Sequence, residues 1–204
     1  LGYVPYGIDI NKKSVEIARE KFGLRNVFCT TLEKFVKSNP GEFDVITFFE
    51  VLEHLDNPKE LITQVKKLTR KGSYIVLSVP NRKRTFDYLG EGDFPPNHLT
   101  RWDALSMNKF LTANGIKVEK IVLKPLGYDE ISDWLGQRIQ FGLITKKFNK
   151  IQRAEGTNTQ IQQIRRLIKI KKLIFNIIGF NFQILLFPLR LKGTNMYFRG
   201  VVGD

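Results

Sequence analysis

Apolar residues recur along the first 125 positions in two alternating spacings, which predict strands and helices in turn. Short apolar runs typical of strands occur at 4–10, 26–29, 43–49, 74–79 and 116–123. Between these runs, apolar residues return every three or four positions, as they do on one face of a helix. Strands that alternate with helices indicate βαβ units and a mostly parallel sheet.

Polar residues mark where the helices begin and end. Asn57, Pro58 and Glu60 have the identities of a cap residue, a first-turn proline and a capping-box acid, so a helix is predicted to start there. We expect that helix to end near Gly72. A last strand is predicted at 196–202, antiparallel to the others.

Composition favours one globular domain. The chain has 204 residues and 42% hydrophobic content, which is enough for one real core. The single cysteine, Cys29, excludes an internal disulfide framework and a cysteine-based metal site, and it favours a reducing, cytoplasmic setting. Leu1 stands where a methionine would begin a protein, so we expect the start of the protein to be missing.

The positive charge is concentrated in the last third of the chain. Residues 1–135 carry 20 basic and 18 acidic side chains, whereas residues 136–204 carry 13 basic and 2 acidic ones. A net charge of +11 on this segment indicates an anionic partner, either membrane headgroups or nucleic acid.

A polar cluster follows the strand at 43–49. In an open α/β sheet, ligands bind at the carboxyl ends of strands, so Glu50, Glu53 and His54 lie where chemistry is expected. The run from Phe43-Asp44-Val45 to Glu50-Val51-Leu52-Glu53-His54, with Ser78-Val79-Pro80-Asn81 after the next strand, resembles the class I S-adenosylmethionine-dependent methyltransferases. The resemblance implies a Rossmann-like, doubly wound, mostly parallel α/β sheet. It divides the chain into a methyltransferase-like domain, 1–129 with 194–204, and a basic, apolar helical insertion at 130–193.

The same resemblance implies that S-adenosylmethionine is the cofactor. Asp9, with Ile10 beside it, matches the position of the acid that holds the ribose, although Asp9 could instead only help to cap the following helix. Thr31 stands where the family often has an acid near the adenine, which leaves backbone groups and Leu32 as the expected adenine contacts.

Three residues at or just after the end of the strand at 43–49 match family positions that line the middle of the cofactor. These are Phe49, Glu50 and Leu52. Phe49 and Leu52 could equally be plain core residues.

The family's glycine-rich cofactor loop is not in this sequence. Only Gly2 and Gly7 precede Asp9, and a strand, a loop and a helix do not fit into eight residues. We therefore expect an N-terminally truncated chain that lacks the family's first strand and helix and binds the cofactor weakly or not at all. An upstream run of the type acid-x-Gly-x-Gly-x-Gly would identify the complete enzyme.

Two histidines are the candidates for catalysis. His98, near the end of the long loop at 81–100, could act as a base or could hold the loop through a backbone carbonyl. His54 could orient the cofactor loop, with Glu53 paired to it or to the substrate. No ligand spacing for a metal is present, so none is expected.

The insertion ends in a basic and then an apolar segment. A helix predicted at 160–172 carries Ile161, Ile164, Leu167 and Ile168 on one face, and 17 uncharged residues follow at 173–189. This length falls short of the roughly 20 residues of a spanning helix, which favours an interfacial or re-entrant segment over residues 160–192. The alternatives are a lid or oligomer contact and, least favoured because few aromatic residues accompany the charges, RNA binding.

Two functions follow from these patterns. The first is methyl transfer from S-adenosylmethionine, on oxygen, to a small or lipid-linked acceptor, by a cytoplasmic protein peripheral to the membrane. The second is a non-catalytic, membrane-associated binding or scaffold module that has the same fold.

Overall fold

The computed structural model describes residues 2–38, 43–86, 93–138 and 158–203. The middle of the predicted 81–100 loop and residues 139–157 of the predicted insertion lie outside these ranges. The chain forms two compact units. The first contains Leu1–Val79, Ala104–Ile121 and Phe198–Asp204, and the second contains Pro80–Asp103 and Val122–Tyr197. The described residues of the long loop belong to the second unit. The division at residue 130 that the sequence suggested stays a prediction.

Strands and helices alternate through the described ranges, as the spacing predicted. In chain order they are β1 (Gly7–Asp9), α1 (Lys12–Phe22), β2 (Val27–Cys29), α2 (Leu32–Ser38), β3 (Phe43–Phe49), α3 (Pro58–Lys67), β4 (Thr69–Pro80), α4 (Ala104–Ala113), β5 (Ile116–Pro125), α5 (Tyr128–Arg138), α6 (Asn158–Leu186) and β6 (Lys192–Val202). Short 3-10 helices occupy Leu52–His54 and Phe187–Leu189.

The described strands form two separate sheets. β1 pairs with β2 in parallel, and the second sheet has the order β3-β4-β6-β5, in which β3 and β4 are parallel. Gly203 N–H donates to Gly115 O near one end of β6, and Leu126 N–H donates to Leu191 O near the other. β5 and β6 therefore run antiparallel, which confirms the predicted direction of the last strand.

The prediction that a helix extends to Gly72 is wrong. α3 ends at Lys67 and β4 already begins at Thr69. The pairing of β3 with β4 shifts in register between Phe43 and Val45, and Gly72, with φ +88°, lies in the resulting irregularity. Glycine is suited to this backbone conformation, so Gly72 bends a strand instead of ending a helix.

The core of the first unit lies between helices and β4. Ile62 and Val65 on α3 are at most 2% exposed and face this core. Other buried side chains of this core are Ile75, Leu77, Val79, Met107, Leu111, Ile116 and Phe198.

In the second unit, α6 packs against α5 through a glycine. A Cβ atom added to Gly179 would lie 2.5 Å from Tyr128 O, so only glycine allows the two helices to approach this closely. Gln183 Nε2 donates to Leu126 O at 3.2 Å one turn further along. α6 is continuous where the sequence predicted a boundary at Lys172; the side chains of its predicted face, from Ile161 to Ile168, lie outside the described part.

A buried acid joins α5 to β6 in the same unit. Glu130 is 5% exposed, and its Oε2 accepts from Gly127 N–H at 3.1 Å. Its Oε1 accepts from Thr194 N–H at 2.9 Å, from the Thr194 hydroxyl and from Lys124 Nζ at 3.3 Å. Burial alone would raise the pKa of Glu130, but these hydrogen bonds and the Lys124 charge hold that pKa below its usual range.

Candidate functional site

The turn at the end of β3 has a strained backbone that is fixed to β4. Glu50 has φ +53°, in the left-handed region, which costs a non-glycine residue about 1–2 kcal/mol. Its N–H donates to Ser78 O at 3.1 Å, and its Oε1 accepts from the buried Ser78 hydroxyl at 2.5 Å. Strain that neighbouring contacts hold in place is characteristic of functional turns.

Glu53 lies in the 3-10 helix that follows, and its carboxylate is buried without a hydrogen-bond donor from another described residue. Its side chain is 1% exposed, and neither carboxylate oxygen has a hydrogen bond from another described residue. Burial raises the pKa of Glu53 and outweighs the opposing hydrogen bond from its own backbone N–H, while the nearby Glu50 carboxylate adds to the rise and His54 opposes it weakly. A buried acid with a raised pKa at the end of a strand is a candidate for binding or proton transfer.

The neighbours of Glu53 differ in what they offer to a ligand. His54 is half exposed, and its Nε2 lies 3.9 Å from Glu53 Oε1. Phe49 is 52% exposed, whereas Leu52 has no exposed surface and supports the turn as a core residue in this structure. The assignment of these residues to cofactor or catalysis stays a prediction, as does the expectation that no metal binds.

Asp9 ends β1, where the sequence predicted the ribose contact. Its Oδ1 accepts from Asn11 N–H at 2.7 Å, while the Asn11 side chain itself caps α1 by accepting from Lys13 N–H and Ser14 N–H. One carboxylate oxygen of Asp9 thus helps to cap the helix, as the alternative proposed, and the side chain remains exposed. Ile10, beside it, is 78% exposed.

The predicted adenine contacts follow β2. Thr31 Oγ1 accepts from Lys34 N–H at 3.4 Å, so this side chain caps α2. Leu32, at the start of α2, lines a groove that also borders β1 and β3. The groove therefore brings Leu32 near β1, which ends in Asp9, and near β3, which Glu50 follows.

That groove lies in the first unit, between β1 and β3. It has a volume of about 500 Å³ and is lined mainly by apolar residues of β1, α2, β3 and α3. Within the described ranges, β1 pairs only with β2, and β3 only with β4, so each strand leaves an unpaired edge. The gap between β1 and β3 is therefore open within the described ranges.

The residues present fit one half of the cofactor expected from the sequence. The exposed carboxylate of Asp9 suits ribose hydroxyls, and the exposed Phe49 and the fixed Glu50 turn suit the middle of the molecule. The backbone cradle of a glycine-rich loop, which both the adenosine and the methionine parts need, has no counterpart in the sequence.

His98 belongs to the second unit and has a cationic neighbourhood. It lines a cavity of about 10 Å³, room for one water, with Arg82, Arg84 and Arg101. Its backbone N–H donates to Phe94 O at 3.2 Å. Arg84 binds Asp93 at 2.8 Å, which ties the two described ends of the loop together. The sequence did not predict this cationic environment of His98, because the three arginines lie up to 19 positions apart along the chain.

The sequence also missed the part that Ser78 has in the site. Ser78 is 28 residues from Glu50, and no spacing rule connects them. The only signal was its place at the end of a buried strand, in the Ser78-Val79-Pro80-Asn81 run.

Two groups of known proteins are similar to this chain. Ubiquinone biosynthesis O-methyltransferase from Vibrio atlanticus (strain LGP32) is 34% identical over 85 residues, 40% of this chain and 36% of that protein. The enzyme of the same name from Dechloromonas aromatica (strain RCB) is 34% identical over 83 residues, 37% of this chain and 34% of that protein. The chain thus matches about a third of the length of these curated relatives.

Solved structures agree with the fold. A SAM dependent methyltransferase from Archaeoglobus fulgidus has a TM-score of 0.54 at 18% identity, over 96% of this chain and 75% of that one. The [4+2]-cyclase SpnF has a TM-score of 0.51 at 13% identity, over 97% of this chain and 66% of that one. These likenesses support the Rossmann-like α/β fold, and the cyclase shows that the fold alone does not fix the reaction.

A family model described as a methyltransferase domain matches residues 1–121, a range that includes Asp9, Glu50 and Glu53. The chain belongs to this methyltransferase domain family.

Proposed function

We propose that this chain carries half of the cofactor site of an enzyme that transfers a methyl group from S-adenosylmethionine to an oxygen atom of a small or lipid-linked acceptor. The observation that carries the proposal is the turn after β3, where a strained Glu50 and a buried, unmatched Glu53 lie together in a chain of the methyltransferase domain family. The names of the relatives, ubiquinone biosynthesis O-methyltransferases, support oxygen as the atom methylated.

Each residue of the half-site has a proposed role. Asp9 accepts hydrogen bonds from the ribose hydroxyls, Glu50 and Phe49 contact the middle of the cofactor, and Leu32 packs against the adenine. When bound, the cofactor supplies an electrophilic methyl group on a sulfonium, so alignment of the acceptor is the main requirement. His98 or His54 takes the acceptor proton where the acceptor must lose one.

Calorimetry of the 204-residue chain with S-adenosylmethionine tests the half-site directly. We expect no binding in the micromolar range, because the sequence lacks the glycine-rich loop. Micromolar binding would contradict this, since it would mean that the described residues suffice as a cofactor site.

The role of Asp9 is tested in a protein that has a glycine-rich run ahead of this sequence. Asp9→Ala should weaken cofactor binding at least tenfold, because ribose hydrogen bonds to a charged group are each worth about 1.5–3 kcal/mol. Asp44→Ala is the control, since Asp44 is exposed and pairs with Arg70. Equal affinities of the two variants would rule out the ribose role of Asp9.

We further propose that residues 160–192 hold the protein at an anionic membrane surface. The sequence suggested that this segment falls short of a spanning helix, but Lys172–Leu189 is long and apolar enough to cross a membrane by length and composition, and only 11% of it is buried. Exposed apolar side chains on the described part include Leu173, Ile177, Ile184 and Leu185, and Arg166, Lys169 and Lys172 precede or flank them. Apolar surface next to basic residues is typical of interfacial helices.

Flotation with vesicles tests the membrane role. The chain should float with vesicles that contain phosphatidylglycerol and less with pure phosphatidylcholine. Binding to neither vesicle would favour the lid or oligomer interpretation, and binding to RNA alone would favour the nucleic-acid one.

A further inference from the structure

A second groove lies in the second unit, at the ends of β5 and α6. It has a volume of about 700 Å³, within the range of ligand pockets, which is roughly 300–1,000 Å³. Its walls are largely apolar and include Leu123, Leu126, Leu186, Phe187 and Leu191. Exposed apolar surface of this extent commonly marks a ligand-binding or interaction site.

The groove lies at the edge of the sheet where ligands bind. Asn81 N–H, just after β4, donates to Thr194 O, and Leu126 N–H, just after β5, donates to Leu191 O. The start of β6 therefore lies between the carboxyl ends of β4 and β5. In open α/β sheets, ligands bind at the carboxyl ends of strands.

Three cations border the groove, and two of them carry uncompensated charge. Lys124 Nζ lies 3.3 Å from the Glu130 carboxylate, which neutralises it. Arg190 and Lys192 are exposed and have no salt bridge within the described part of the chain. A net charge of two thus lies beside the apolar walls.

Arg190 has a backbone conformation that is unfavourable for residues other than glycine. Arg190 has φ +47° and ends the Phe187–Leu189 helix, where glycine or asparagine is common. An arginine that is held in this conformation beside an apolar groove indicates a use for its charge.

We propose that this groove binds one anionic lipid molecule, with its hydrocarbon chain along Leu126, Leu186 and Leu191 and its phosphate at Arg190 and Lys192. A neutral lipid would leave both cations unused, and free phosphate would leave the apolar walls exposed. Bidentate arginine contacts suit a phosphate group. The ligand class is therefore a single-phosphate lipid, whether or not the protein lies on a bilayer.

Calorimetry with dihexanoyl phosphatidic acid, kept below its micelle concentration, tests the proposal on the 204-residue chain without a methyl donor. We expect saturable binding, at least tenfold weaker with dihexanoyl phosphatidylcholine. Arg190→Gln with Lys192→Gln should raise the Kd at least tenfold. The matched control, Lys117→Gln with Lys120→Gln, removes the same charge from exposed positions of β5 in the first unit and should change the Kd less than twofold.

Arg190→Gly separates the ligand role from a folding role. Glycine relieves the backbone conformation, so this variant should unfold at the same or higher urea concentration, while its lipid affinity falls. Loss of affinity that accompanies loss of stability would count against the proposal.

Three outcomes would overturn the proposal. They are equal loss of affinity in the two double variants, competition by inorganic phosphate as strong as that of the lipid, and binding to anionic vesicles with no binding of the monomeric lipid. The last would mark a surface contact only. Because no methyl donor is used, each of these results would leave the proposed methyl transfer standing.

Discussion

Glu53 and Glu130 are both buried, yet their surroundings shift the carboxyl pKa in opposite directions. Glu130 accepts four hydrogen bonds, from Thr194, Gly127 and Lys124, and its pKa is lowered. Glu53 has no hydrogen bond from another described residue, and its pKa is raised. Burial alone therefore does not mark an acid as a candidate for function, whereas burial with unmet hydrogen bonding does.

The two acids also lie in different structural contexts. Glu130 joins the start of α5 to β6, as a structural acid should. Glu53 follows a strained residue at the end of β3, where the sheet leaves a groove open. A fold optimised only for stability would neither strain the backbone of Glu50 nor bury Glu53 without hydrogen-bond donors. The difference therefore favours a functional role for the β3 turn.

The largest expected effect is at Glu130. Glu130→Gln replaces an acceptor-only carboxylate with an amide that cannot accept all four bonds, and it leaves Lys124 without its partner. We expect a loss of about 3 kcal/mol in the free energy of unfolding at pH 7, because the buried donors of Thr194 and Gly127 would lose acceptors, and each unmatched buried polar group costs about 1–3 kcal/mol. Urea unfolding followed by circular dichroism measures it.

The control for Glu130 is an ion pair nearer the surface. Glu119→Gln breaks a pair with Arg199 at 3.3 Å, which is partly exposed, and should change stability by less than about 0.5 kcal/mol.

The pH dependence of the stability of Glu130→Gln adds a second test. Because the pKa of Glu130 is lowered in the fold, its stabilisation is present above the usual carboxyl pKa of about 4.3 and is lost as pH falls through the lowered value. The deficit of Glu130→Gln should therefore shrink in acid.

Ser78 tests whether the β3 turn is held in place from β4. Ser78→Ala removes the hydroxyl that donates to Glu50 Oε1 and leaves a half-buried carboxylate without that donor. We expect a loss of about 2 kcal/mol in the free energy of unfolding, since a hydrogen bond to a charged group is worth about 1.5–3 kcal/mol. Thr63→Ala, which removes a hydroxyl from an exposed position of α3, is the control, and equal losses would mean that the Glu50 turn does not depend on Ser78.

The comparison also shows which parts of the molecule are readable from the sequence. Asn57, Pro58 and Glu60 predicted the start of α3 because capping is a local interaction, and the strand at 43–49 was predicted with the bounds observed. Gly72 was misassigned because its role depends on how β4 pairs with Phe43. Local patterns thus predict elements, while pairing between distant residues decides what a glycine does.

The site follows the same rule. The turn residues Glu50, Glu53 and His54 were predicted from one contiguous run and its family resemblance. The sequence did not distinguish Glu53 from Glu130, whose partner Thr194 lies 64 residues away. Whether a buried acid is satisfied depends on contacts of this length, so it becomes visible only in the structure.

Glu53→Gln should have the opposite sign to Glu130→Gln. It removes a buried charge that no other described residue hydrogen-bonds, so we expect a gain of about 1 kcal/mol in the free energy of unfolding at pH 7. Because the pKa of Glu53 is raised in the fold, the ionised form is destabilised above that raised value. Below the usual pKa of about 4.3 both states carry the proton, and the gain should vanish. A loss of stability at pH 7 would mean that Glu53 is paired, like Glu130.

The smallest effect is expected at Lys124, and it shows which partners of Glu130 matter. Lys124→Met removes the charge and keeps most of the apolar stem, while the donors of Thr194 and Gly127 remain. Lys124 is 37% exposed, so solvent already screens its pair with Glu130, and we expect a loss of about 0.5 kcal/mol in unfolding free energy. A loss as large as that of Glu130→Gln would mean that the lysine, and not the uncharged donors, keeps Glu130 ionised. In that case the contrast between Glu130 and Glu53 would rest on the presence of one nearby cation and not on the number of hydrogen-bond donors.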